Sequence, residues 1–334
     1  MRTSLSDLLA TKKIILADGA TGTNYFALGL TSGEPPEFWL DSHPDRVAGL
    51  HQQFVDAGAD IILTNTFGCN SHRLKLHNAQ ARTYELAKKA AEIARSVADS
   101  CLRPVVVAGS VGPTGELFEP LGALTHEVAV ASFEEQIRGL KDGGADVIWI
   151  ETMSAIEEVQ AAAQAAINIS MPYTATCSFD TAGRTMMGLK PDGLTDVFVG
   201  LAEAPVAIGA NCGVGASDIL VTALEMSVTA SHSHLPIIVK GNCGIPRFEG
   251  VEIKYSGTPE LMARYATKAV DAGVRIVGGC CGTSPEHLAA MRAAIDSHVE
   301  GPRPTIESIV ADIGPLTNKP PTDNDPNRRK SRRG

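Results

Sequence analysis

The chemistry in this chain is concentrated in its cysteines. Two are adjacent in a glycine bracket, Gly278-Gly279-Cys280-Cys281-Gly282-Thr283, directly after the apolar run 274–277. A third, Cys212, closes another apolar run that ends Ala210-Asn211-Cys212. Neighbouring side chains on a regular strand point to opposite faces. Cys280 and Cys281 can therefore share an ion only where strand regularity stops, and the flanking glycines permit that. Three thiolates suit zinc and disfavour magnesium or calcium, which take oxygen donors. Three protein ligands would leave the fourth tetrahedral position for a substrate, as in catalytic sites. The competing reading makes all three small buried hydrophobes. Cys69, Cys101 and Cys177 read as packing residues, and Cys243, next to Asn242, as packing or a spare ligand.

The elements that must position these thiols follow from a repeated phrase. A helical pattern ends at glycine and an apolar run begins at once: Asp56-Ala57-Gly58-Ala59-Asp60 before Ile61, Asp142-Gly143-Gly144-Ala145-Asp146 before Val147, and Asp271-Ala272-Gly273-Val274-Arg275 before Ile276. Glycine stops the helix, and the run reads as a buried parallel strand. Further runs at 14–16, 105–108, 173–177, 206–208 and 237–239 bring the strands to eight, each followed by a plausible crossover helix, such as 79–98 and 155–166. This alternation predicts an α/β fold, a (β/α)8 TIM barrel over residues 1–310; an open doubly wound sheet is the alternative. In a barrel, chemistry sits where strands end. That rim would carry Asp18, Asn65, Thr66, Ser110, Glu151, Ser178, Asn211, Cys212, Asn242, Cys280 and Cys281.

Composition narrows the partners. The chain has 334 residues, 44% apolar and 20% charged, an ordinary globular balance. A net charge of −9 argues against nucleic-acid binding. No stretch approaches the roughly 18 apolar residues of a membrane span, and the start lacks the apolar centre of a signal peptide. Seven scattered cysteines fit reduced thiols, so a cytoplasmic location is expected. Residues 311–334 read as a disordered tail ending in the basic run 327–334, either solvated or contacting an acidic partner. His51, His72, His77 and His287 read as surface or capping residues, which leaves a zinc hydrolase without an obvious histidine ligand.

Taken together, Asp18-Gly19-Ala20-Thr21-Gly22-Thr23, Thr64-Asn65-Thr66-Phe67, Ile150-Glu151-Thr152, Gly209-Ala210-Asn211-Cys212 and Gly278-Gly279-Cys280-Cys281-Gly282 resemble the homocysteine S-methyltransferase family. That family includes betaine–homocysteine methyltransferases and the homocysteine-binding module of cobalamin-dependent methionine synthases. The resemblance implies a zinc-dependent enzyme that methylates homocysteine to methionine, with Cys212, Cys280 and Cys281 as metal ligands and catalytic centre. It further implies that Asp18 and Glu151 bind the substrate ammonium, and that backbone N–H groups near Gly19 and Thr66 meet its carboxylate. Asp18 reads otherwise as an Asx-turn, Glu151 as a buried ion pair or helix cap, and Asn211 and Asn242 as loop-shaping residues or metal contacts. The physical basis is plain: a free thiol is only a few per cent thiolate at pH 7, and the thiolate is the nucleophile. Lowering a thiol pKa by ~2 units favours the thiolate by about 2.7 kcal/mol.

The methyl donor implied first is betaine, whose quaternary ammonium needs an aromatic cage. Candidates are Tyr25, Phe26, Phe38, Trp39 and Phe67, which otherwise read as packing. The segments 178–185 and 242–246 look closer to the methionine synthase module, and 334 residues leave no room for that enzyme's folate and cobalamin domains. S-methylmethionine, or a separate corrinoid protein delivering the methyl group, is therefore the alternative donor. A zinc-binding sensor without turnover is the non-enzymatic alternative.

Overall fold

The structure is a computed structural model and describes residues 2–249 and 252–318. Among the described residues ten strands occur: β1 (Ile15–Leu16), β2 (Ile61–Leu63), β3 (Val106–Val111), β4 (Val147–Met153), β5 (Tyr173–Cys177), β6 (Ala207–Cys212), β7 (Ile237–Gly241), β8 (Pro246–Glu249), β9 (Glu252–Tyr255) and β10 (Ile276–Gly279). Eight of them form one parallel sheet in the order β1-β10-β7-β6-β5-β4-β3-β2. A parallel bridge between Ala17 and Ile61 joins its two ends. The architecture is the (β/α)8 barrel read from the sequence, and each predicted run falls on a barrel strand.

The repeated phrase works as expected. Gly58, Gly144 and Gly273 adopt φ of 100°, 97° and 92°, the left-handed geometry that ends a helix just before its strand. Two expectations need correction. The segment between β5 and β6 is a 3-10 helix, Pro191–Phe198, and not an α-helix; Pro191 only starts it, while Gly193 within it opposes α-helical continuation. The chain between β7 and β10 also inserts an antiparallel hairpin, β8 with β9, before its helix Pro259–Asp271. The helix expected over 79–98 spans Thr83–Ser100 after a 3-10 turn, and the one expected over 155–166 spans Ile156–Asn168.

Alternation along the strands divides the core. One set of side chains packs outward against the helices, while Ile15, Ala17, Ile61, Leu63, Val106, Ala108, Val147, Trp149, Ala207, Ile238 and Ile276 fill the interior, closed below by Leu5 and Leu8 of helix Leu5–Thr11. Continuing the same inward register toward the strand ends gives Ser110, Glu151, Asn211 and Lys240. The interior is thus apolar below and polar at the rim. Among the described residues, no helix is long and apolar enough to cross a membrane. The described chain stays attached to the barrel through Asn318, whose N–H donates to Asp218 at 2.8 Å. The basic run 327–334 lies outside the described residues.

Candidate active site

Three elements bring the thiols together. Cys212 is the last residue of β6 and adopts φ 62°, an uncommon left-handed conformation for a residue with a side chain. β10 stops at Gly279, and Cys280 and Cys281 occupy the turn that follows. Cys280 donates its N–H to Gly241 at 2.7 Å and accepts from Thr283 N–H at 3.1 Å. Strand regularity has therefore ended where adjacency required it to end. The three Sγ atoms lie within 4.8 Å of one another, the one group of potential metal ligands of its kind among the described residues. Zinc–thiolate bonds of ~2.3 Å in a tetrahedron bring sulfurs to roughly 3.8 Å, so small side-chain adjustments suffice.

Electrostatics agree with a cation-binding role. Cys212 is pushed up to about 12, first by its hydrogen bond with Cys280 and then by burial; Cys281 is raised to about 11, chiefly by its bond with Cys212. Three crowded thiols resist ionising unaided, which is the donor set a soft dication stabilises. Asn242 braces them: its Oδ1 accepts the Cys281 N–H at 3.1 Å and its Nδ2 donates to Gly213 at 2.8 Å. Tyr255, from the hairpin that sequence reading did not anticipate, lines the same cavity, and its phenol helps hold the Cys281 thiol down against the other causes. Cys243 is fully buried outside the cluster, as are Cys69 and Cys177.

These thiols share a cavity of about 720 Å³ whose wall includes Gly19, Thr66, Ser110, Glu151 and Lys240. Glu151 is buried and accepts a 2.5 Å hydrogen bond from Ser110 Oγ. Burial pushes its carboxyl up, opposed by the Lys240 charge and the Ser110 bond. It does not cap the following helix, whose N-cap is Ala155. Asp18 stands at the same rim with both oxygens engaged: Oδ1 with Lys240 Nζ at 2.8 Å, Oδ2 with the Leu63 N–H at 2.7 Å. It thus joins β1 to β7 and β2, and forms no Asx-turn. Thr66 lies at the wall, but its N–H is bonded to Thr64 O at 2.9 Å. Gly19 has no room for a side chain, because a Cβ would lie 2.6 Å from Thr283 O.

Sequence reading missed Lys240, although a lysine at an inward position of an apolar strand was a visible signal. It also misplaced His51, which is 2% exposed inside the helix layer and neither surface nor cap. His287 does complete a capping box with Ser284. Of the aromatic candidates, Phe26 and Phe67 line the cavity and are partly exposed, whereas Tyr25 and Trp39 stack on one another in the core.

Comparison with known proteins agrees with this geometry. The chain is 31% identical over 315 residues to the methionine synthase of Mycobacterium tuberculosis and 30% identical over 329 residues to that of Mycobacterium leprae. The alignments take in 88% and 91% of this chain but 25% and 26% of those proteins, so the chain spans about a quarter of their length. The fold is similar to the homocysteine methyltransferase MmuM from Escherichia coli in its metallated form, with a TM-score of 0.73, 24% identity, and coverage of 86% of this chain and 99% of that one. Its apo form superposes with a TM-score of 0.66. The family profile described as homocysteine S-methyltransferase matches residues 15–295, most of the barrel, and the chain therefore belongs to the homocysteine S-methyltransferase family.

Proposed function

We propose that this methyltransferase acts on homocysteine, transferring a methyl group to its sulfur to give methionine, with zinc held by Cys212, Cys280 and Cys281. The observation that carries the reading is the convergence of three thiols on the wall of a cavity that also holds a buried carboxylate. Zinc at such a site supplies Lewis acidity, lowering the pKa of a thiol so that the thiolate predominates near neutral pH. The protein's own residues do the rest. Glu151, fixed by Ser110, offers a carboxylate to the substrate ammonium, and Asp18 stands at the same rim with its charge paired to Lys240. Asn242 and Asn211 hold the cysteine-bearing turns in place.

The donor we infer first is betaine, received at the cavity mouth beside Phe26 and Phe67, whose ring faces attract a quaternary ammonium. A second reading is favoured by the methionine synthase relatives, matched along a quarter of their length: the chain supplies the homocysteine-activating part of a cobalamin-dependent methionine synthase, with a corrinoid protein delivering the methyl group. We place the enzyme in the cytoplasm, where its thiols stay reduced. The test is methionine formation by purified, zinc-replete protein. Turnover with homocysteine and betaine alone supports the first donor. Turnover only with methylcobalamin supports the second, and S-methylmethionine serves as a third arm. Stoichiometric zinc with no methyl transfer from any of the three would leave a zinc-binding sensor and defeat the enzymatic reading.

A further inference from the structure

Lys240 is a buried ammonium without a full set of acceptors. Its side chain is 3% exposed, yet it lines the cavity. From β7 it passes over Gly278 of β10, where even a Cβ would come within 3.0 Å of its Cγ, to reach Asp18 beyond β1. Among the described residues its one hydrogen bond is to Asp18 Oδ1, at 2.8 Å. An ammonium has three N–H donors, and leaving two of them unpaired in a buried setting is costly. Both are available to a ligand in the cavity.

The groups facing Lys240 fix its charge. Asp18 arrives from the end of β1, Glu151 from β4, Cys280 from the turn after β10, and the Trp149 ring lies 5.9 Å away. Burial opposes the charge, but Asp18 and Glu151 outweigh it and hold the lysine above its ordinary value. Lys240 thus brings a positive charge, paired with Asp18, to the wall that also carries Glu151. The backbone donor expected at Thr66 is spent on Thr64, and the Thr64 and Thr66 hydroxyls are bonded to each other.

We propose that Lys240 is a specificity-determining residue that receives the carboxylate of the thiol substrate while Glu151 receives its ammonium, so that the wall reads a zwitterion. The assignment rests on the homocysteine reading above and adds the group that selects for the carboxylate. When an α-amino acid binds, Glu151 gains an opposite partner and Lys240 gains an acceptor beyond Asp18, and a thiol lacking either charged group leaves one of these positions unfilled.

The experiment is calorimetric titration of zinc-loaded protein with homocysteine, 3-mercaptopropylamine, which lacks the carboxylate, and 4-mercaptobutyrate, which lacks the ammonium. Wild type is expected to bind homocysteine about tenfold or more tighter than either analogue, the scale of a charge-assisted hydrogen bond. Lys240→Met should weaken homocysteine by a similar factor and leave 3-mercaptopropylamine nearly unchanged, whereas Glu151→Gln should spare 4-mercaptobutyrate. Equal loss for homocysteine and 3-mercaptopropylamine in Lys240→Met would overturn the assignment and make Lys240 only a support for Asp18. Should that variant not fold, the wild type decides alone, because equal affinity for those two ligands also overturns it. Wild type that binds none of the three thiols would defeat the homocysteine reading itself, and this assignment with it.

Discussion

Asn211 and Thr152 hold each other twice across the intervening strand β5. Asn211 Oδ1 accepts the Thr152 N–H at 2.8 Å, and Asn211 Nδ2 donates to Thr152 Oγ1 at 2.7 Å. Asn211 Oδ1 also accepts from the Thr176 hydroxyl at 2.7 Å, while Nδ2 lies 3.9 Å from Cys280 Sγ. Thr152 is left-handed at φ 62°, a conformation this bonding helps to hold. One amide thereby links the residue after Glu151, the residue before Cys212, and Cys280.

Replacing Asn211 with Ala should strand the part-buried Thr152 N–H and leave the buried Thr176 hydroxyl with only the longer bond to Ile150 O at 3.4 Å. The expected cost is about 1–3 kcal/mol in urea unfolding, together with weaker zinc retention. A variant of wild-type stability and zinc affinity would show that the network positions nothing.

The metal itself can be tested by subtraction. Cys212→Ala, Cys280→Ala and Cys281→Ala should each purify without stoichiometric zinc, while Cys243→Ala and Cys177→Ala keep it. Chelation of the wild type should abolish methyl transfer and lower the melting temperature, with zinc restoring both. Metal analysis showing loss in Cys243→Ala would make that residue a ligand and require a different cluster.

His51 gives a pH dependence of defined sign. Burial drives its pKa down to about 4, with the Asp18 charge opposing, and its Nε2 has no partner among the described residues. The folded protein therefore holds this imidazole neutral, while the unfolded chain protonates it below about 6.5. Its stability contribution is complete above that pH and is lost as pH falls toward 4, reaching about 3 kcal/mol. Denaturation midpoints measured from pH 7 to pH 4 should fall less steeply in His51→Leu; identical slopes would assign the acid lability to other groups.

Gly282 and Gly183 separate two costs of adding a methyl group. Both are left-handed, at φ 80° and 75°, but a Cβ at Gly282 collides with the Tyr255 ring, whereas at Gly183 it meets open space. Gly183→Ala should lose only about 1 kcal/mol. Gly282→Ala should lose more, and should also loosen the Cys281 turn and lower zinc affinity. Equal effects on stability and zinc binding would mean that the hairpin moves aside freely.

The sequence by itself determined the barrel, because a parallel strand buried on both faces must be written as an apolar run, and a glycine stops the helix before β2, β4 and β10. It also determined the three thiols, since cysteines bracketed by glycines at two strand ends have few other uses. It did not yield the β5–β6 3-10 segment or the β8–β9 hairpin, whose local signals are weak and whose places are set by packing. Only the tertiary structure decided that Lys240 meets Asp18, 222 positions away in the chain. That pairing depends on two strands flanking the same glycine of β10, a coincidence of barrel closure that no local pattern encodes. The same closure withdrew the Asp18 oxygens into protein bonds and left Glu151 and Lys240 on the cavity wall, because hydrogen-bond partners across a barrel are chosen by strand order and not by spacing in the chain.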